Sequence, residues 1–139
     1  MSSYLSIYIV PKRKSLGEKK KHIVLASYSR STDIYQYFYE NIHPAFVGNN
    51  EETPFTTLTK ENIGEVLKNF NEDITNANTR LTEYEKYAAN NPDYIGEIIE
   101  QKEYINNLQY WRDKVSFIED ILDEKDCYDE IEEVCCNID

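Results

Sequence analysis

Glycine and proline are scarce in this chain, four of each in 139 residues, and the glycines at positions 17, 48, 64 and 96 never cluster. A phosphate-cradling loop or a dinucleotide fingerprint needs closely spaced glycines so that backbone N–H groups can approach the phosphates, and both are therefore excluded. Histidine occurs twice, at His22 and His43. There is no His-Glu-x-x-His pair, no nucleophile elbow and no calcium loop. No stretch approaches the roughly 18 apolar residues that span a bilayer. The start, Met1 to Leu5, lacks the basic opening and long apolar run of a secretory signal. Three cysteines, Cys127, Cys135 and Cys136, form an odd set near one end, a poor disulfide framework that fits a reducing compartment. These absences point to a cytoplasmic protein without catalytic machinery, cofactor or membrane association.

What the chain has in quantity is acid and tyrosine. Formal net charge is −11, with 26 acidic residues against 15 basic ones. The charge is uneven: residues 1–30 hold seven Lys/Arg and one acid, and residues 31–139 hold eight Lys/Arg and 25 acids. Tyrosine occurs 12 times and the hydrophobic fraction is 40%, enough apolar material for one folded domain of this length.

Residues 3–10 alternate, with Leu5, Ile7 and Ile9 on one face and Tyr4, Ser6, Tyr8 and Val10 on the other. This period of two, in β-branched and aromatic residues, predicts a strand. Residues 22–28 form a second run of strand length, and the polar, basic stretch between them reads as the loop of a β-hairpin. Ile34, Phe38 and Ile42 recur every four residues, predicting a short helix capped by Ser31 and ended at His43-Pro44. Residues 55–58 suit a short strand.

Thr59 is a helix cap, and Ile63, Leu67, Phe70, Ile74, Ala77, Leu81, Tyr84 and Ala88 follow it in steps of four and three. Such a seam predicts a long helix that must pack against another. Asn90-Asn91-Pro92 breaks it, and a second long helix follows from about 93 to 123, with its stripe on Ile95, Ile98, Ile105, Leu108, Val115, Ile118 and Leu122. Folded back antiparallel, the pair places Arg112 level with Asn71, Glu72 and Asp73. Trp111, Phe117, Ile118 and Ile121 then fall near the base, where they are expected to pack on the sheet and short helix, while residues 80–98 project. Residues 126–139 read as an edge strand or, through Ile131, Val134 and Cys135, a short helix; the strand is preferred.

The fold expected is α+β: an N-terminal β-hairpin and short helix (1–58) at the base of a long antiparallel helical hairpin (59–123), with an acidic C-terminal segment (124–139) that supplies an edge strand. All of it forms one domain.

Three features bear on function. Lys12, Arg13, Lys14, Lys19, Lys20 and Lys21 concentrate positive charge in the first loop. With Arg30 they suit phosphate contacts to nucleic acid or a nucleotide; equally, they suit a solvated tip that keeps an edge strand from aggregating. His22, Cys127, Cys135 and Cys136 have zinc-ligand chemistry but no zinc-site spacing, and on a strand Cys135 and Cys136 face opposite sides, one buried and one exposed. Tyr84, Tyr87 and Tyr94 gather at the projecting end of the helical hairpin, where an amphipathic ring is of more use at an interface than in a core.

The combination favours a small acidic protein-binding factor of regulator or inhibitor type, acting by occluding a protein partner or pairing with a second copy of itself. The Asn-, Lys-, Ile- and Tyr-rich composition is similar to that of small bacteriophage-encoded proteins, for which a minor virion component is an alternative role. Binding of a phosphate ligand through the basic loop is the other alternative.

Overall fold

The computed structural model describes residues 4–11, 23–42, 55–127 and 131–138. Four strands, β1 (Tyr4–Pro11), β2 (Ile23–Ser29), β3 (Phe55–Thr57) and β4 (Ile131–Ile138), form one antiparallel sheet in the order β2-β1-β4-β3. The alternation that makes β1 a strand also orients it. Leu5 and Ile7 are fully buried on the face that carries Val134 and Cys136 of β4. Helix α1 (Asp33–Asn41) covers this face with Ile34, Tyr35 and Phe38.

The cap of α1 is Thr32 rather than Ser31: its hydroxyl accepts from the Tyr35 N–H at 3.4 Å and donates to the Ser29 carbonyl at 2.7 Å. Because Thr32 holds the end of β2 and the start of α1 together, it is better placed to cap than Ser31, which bonds sideways to the Ser29 hydroxyl at 2.9 Å.

Two long helices complete the fold, α2 (Lys60–Ala88) and α3 (Ile95–Glu124), about 43 and 45 Å long at 1.5 Å per residue. Thr59 starts α2 with a reciprocal capping box: the Thr59 hydroxyl accepts from the Asn62 N–H at 3.1 Å, and the Asn62 side chain accepts from the Thr59 N–H at 2.8 Å. The chain reverses at Asn91, whose side chain caps a single 3₁₀ turn (Pro92–Tyr94) by accepting from the Asp93 N–H at 3.2 Å. The helices run antiparallel, and Arg112 reaches Asn71 at 3.4 Å, the level expected from the sequence, although its ion pair is with the adjacent Asp113 at 3.1 Å.

The base of the hairpin joins the core. Ile63, Val66, Phe70 and Ile74 of α2 and Leu108, Val115, Ile118 and Leu122 of α3 pack in one cluster with the sheet and α1. Trp111 packs against β2 as expected, edge-on to Tyr28 with ring centroids 5.5 Å apart. Tyr37 of α1 lies flat on Phe70 at 3.7 Å and donates its hydroxyl to Asp73, tying α1 to α2. Beyond Ala77 and Gln101 no described residue of the two helices belongs to the core cluster, and Gln101 Nε2 donates to the Ala77 carbonyl at 2.9 Å in a buried contact at that boundary.

Four further expectations are corrected. Residues 131–138 are a strand, but an interior one, because β3 pairs with its outer side and β1 with its inner side. Cys135 and Cys136 do face opposite sides, yet both are buried, because Cys135 lies mid-sheet with Tyr8 and Thr57 as its ladder neighbours. Ile95 is 55% exposed rather than part of the seam, since it lies where the 3₁₀ turn gives way to α3 and before the helices are in full register. Phe117 is 60% exposed instead of packing on the sheet, because Val115, Ile118 and Leu122 already fill the inward face of α3.

Candidate functional site

The projecting end of the helical hairpin places the predicted tyrosines together. Tyr84, one turn before the end of α2, is half-buried, and Tyr87 is 58% exposed. Tyr94 closes the 3₁₀ turn opposite them. The Tyr94 ring centroid lies 5.5 Å from that of Tyr87 and 6.3 Å from that of Tyr84, with the planes inclined by 30° and 33°. The three rings therefore form one surface, fixed by the reversal itself: the Asn90 N–H bonds to the Tyr87 carbonyl at 3.2 Å and the Tyr94 N–H to the Asn91 carbonyl at 3.2 Å. None of the three belongs to the core cluster.

Charge rims this surface. On the segments that carry the rings, Glu83, Glu85, Asp93 and Glu97 are exposed, against Arg80 and Lys86. An apolar, ring-lined centre inside a predominantly acidic border has the anatomy of a small protein-binding patch: rings that lose little freedom on burial at the middle, and carboxylates that can pair with Lys or Arg at the edge.

Among the described residues the remaining candidates form no second site. Lys12, Arg13, Lys14, Lys19, Lys20 and Lys21 lie outside the described residues, and Arg30 is exposed in the turn between β2 and α1. Of the zinc-type set, His22 also lies outside them; Cys127 is exposed while Cys135 and Cys136 are buried, and among the described residues no cluster of His, Cys, Asp and Glu is arranged to hold a metal. Burial, reinforced by nearby Glu133, pushes the Cys135 thiol up to about 11, and burial raises Cys136 further. Both stay protonated at neutral pH and so lack the thiolate that a nucleophile needs. Lys68, Asn71, Glu72, Thr75 and Asn76 line an open polar depression on α2. Among the described residues no helix is long and apolar enough to cross a membrane.

Reasoning from the sequence missed one feature. Gln101 is buried where the stripe of α3 should be apolar, a position that helix periodicity alone would have offered had the polar residue not masked it. The excess of apolar residues over one seam, legible in the sequence of α3, remains exposed at Ile99, Tyr110 and Phe117. Comparison with models of protein families, with curated proteins and with solved structures returned no match to this chain.

Proposed function

We propose that this protein is a protein-binding accessory factor, of regulator or inhibitor type, that engages a protein partner with the end of its helical hairpin. The observation that carries this reading is the joined ring surface of Tyr84, Tyr87 and Tyr94, held outside the core on two rigid helices. A folded domain gains no stability from exposing Tyr87 at 58%, and an aromatic patch displayed by a rigid element suits recognition. Two pre-formed helices also lose little entropy on docking, so burial of the rings translates into affinity. The mechanism is occlusion: the ring surface enters an apolar depression on the partner, and the surrounding carboxylates meet its basic rim. The compartment that fits is the cytoplasm.

The test compares wild type with Tyr87→Ala and Tyr94→Ala as baits for proteins of the natural host. A stoichiometric protein retained by wild type should be lost from both variants. Removing one such ring at the centre of an interface costs about 2 kcal/mol or more, a loss of roughly 30-fold in affinity. The melting temperature of Tyr87→Ala should stay within about 1 °C of wild type, as for other exposed positions. Identical protein recovery by all three baits refutes the reading, and so does a collapse in melting temperature, which would place the rings among the structural contacts.

A further inference from the structure

Helix α3 has two apolar sides. One faces α2 and the core through Ile105, Leu108, Val115, Ile118 and Leu122. The other consists of Ile95, Ile99, Tyr110 and Phe117, which are 55%, 54%, 54% and 60% exposed. At about 100° per residue, these four fall within about 60° of each other around the helix axis. The spacing explains why. Ile95, Asn106 and Phe117 are successive steps of eleven, as are Ile99, Tyr110 and the half-buried Ile121. An eleven-residue step advances the azimuth by only about 20°, so the row stays on one side of the helix along its length. The row is about 33 Å long.

The geometry points to a second copy of this chain as the occupant of that row, with the two α3 helices packed antiparallel about a two-fold axis at Asn106. The row is close to self-complementary in that arrangement. Ile95 of one copy lies level with Phe117 of the other, and Lys102 lies level with Tyr110, whose ring takes a lysine in its own chain, Lys114 Nζ lying 5.0 Å from its centroid. Lys102 also comes within about 4.5 Å, along the axis, of the level of the second copy's Asp113. That carboxylate already holds Arg112 at 3.1 Å but is 70% exposed and open to a further cation.

Charge argues for a copy rather than a basic partner. The chain as a whole carries −11, yet the middle of this row is balanced, Lys102 and Lys114 against Glu103 and Asp113. Two copies can therefore meet there without the repulsion that any other acidic face would impose. Taking roughly 200 Å² for a large side chain, the exposed parts of the four residues offer on the order of 400 Å² per copy. That is about half of what a stable interface buries per partner, and it sets a weak, concentration-dependent dimer. The arrangement goes beyond the proposed role of the tyrosine surface and leaves it free, holding the two hairpin ends about 36 Å apart at opposite ends of the pair.

The experiment is sedimentation equilibrium on the full chain over concentrations from about 1 to 500 µM, the span in which a weak dimer populates both states. The mass should rise from 16.4 kDa towards twice that value. Phe117→Glu should hold the mass at the monomer value throughout, with circular dichroism unchanged. Lys102→Glu and Asp113→Lys should each weaken the dimer at least tenfold, and the two together should restore it. Within one helix those residues are about 16 Å apart, so restoration reports a contact between copies. Tyr87→Ala, on the other helix, should dimerise as wild type does. A wild-type mass of 16.4 kDa at every concentration overturns the inference and leaves the proposed function standing. So does a dimer that survives Phe117→Glu, a pair of charge reversals that fails to restore it, or a dimer lost in Tyr87→Ala.

Discussion

The contact between α1 and α2 offers a measurable test of how the fold is held. Tyr37 stacks on Phe70 and donates its hydroxyl to Asp73. Tyr37→Phe keeps the stack and removes only the hydroxyl. A hydrogen bond to a charged group contributes about 1.5–3 kcal/mol when well buried. Here both partners are half-exposed and solvent competes, so a loss of about 1 kcal/mol is expected. For a domain of this size that lowers the melting temperature by about 3–5 °C. Tyr37→Ala removes the stack as well and should cost about 2–3 kcal/mol. Urea unfolding of Tyr37→Phe, Asp73→Ala and the double variant should give a coupling energy near 1 kcal/mol. The pH dependence supplies a second readout. Burial first, then the hydrogen bond to Asp73 and the neighbouring negative charge, raises the Tyr37 phenol above its ordinary 10.0. The folded protein keeps this proton at pH values where the unfolded chain has lost it. The associated stability is therefore complete below pH 10 and is lost as pH climbs above it. Tyr37→Phe should flatten that part of the alkaline limb. Strictly additive losses in the cycle, together with an unaltered alkaline limb, would refute the reasoning.

Three further outcomes are expected. Cys127 should react at once with a thiol reagent, while Cys135 and Cys136 react only on unfolding; since burial raises both of their pKa values, stability should begin to fall as pH passes about 9, the ordinary value, a limb that Cys136→Ala reduces. Gly64→Ala and Gly96→Ala should each stabilise the protein by about 0.5–1 kcal/mol in denaturant titration, because an added Cβ meets nothing within 4 Å and both positions are helical. Gln101→Leu should be neutral or stabilising by up to about 1 kcal/mol, since an apolar side chain replaces a desolvated amide within a helix whose carbonyls have intrahelical partners; a loss above 2 kcal/mol would show that the bond to Ala77 sets the register of the two helices.

Local signals were legible in the sequence where they were redundant. Thr59 is a cap and seven apolar steps follow, so α2 could be read from its start to the break at Asn90. The reversal was equally plain, because Pro92 cannot continue a helix but can begin one. Helix α3 was harder. With apolar residues on both sides, its periodicity identifies a helix without saying which side is inward, and Ile95 and Phe117 were assigned to the wrong one. The sheet order was not legible at all. Nothing local to residues 131–138 distinguishes an edge strand from one flanked on both sides; that depends on β1 and β3, which are distant in the chain. The tyrosine surface could be anticipated because it rests on the hairpin reversal alone. The surplus of apolar residues on α3 was legible too, but which of them the sheet and short helix would cover was not, because that depends on packing between distant elements.

The interior position of β4 governs the order in which the molecule can assemble. Its ladder neighbour β1 is at least 120 residues away in sequence, while α2 and α3 are neighbours joined by a single turn. During synthesis the helical pair can close as soon as it leaves the ribosome, whereas β1 and β3 wait with open backbone edges until residues 131–138 arrive between them. Cleavage ahead of Ile131 would strand both neighbours at once, turning one missing segment into two exposed templates for aggregation.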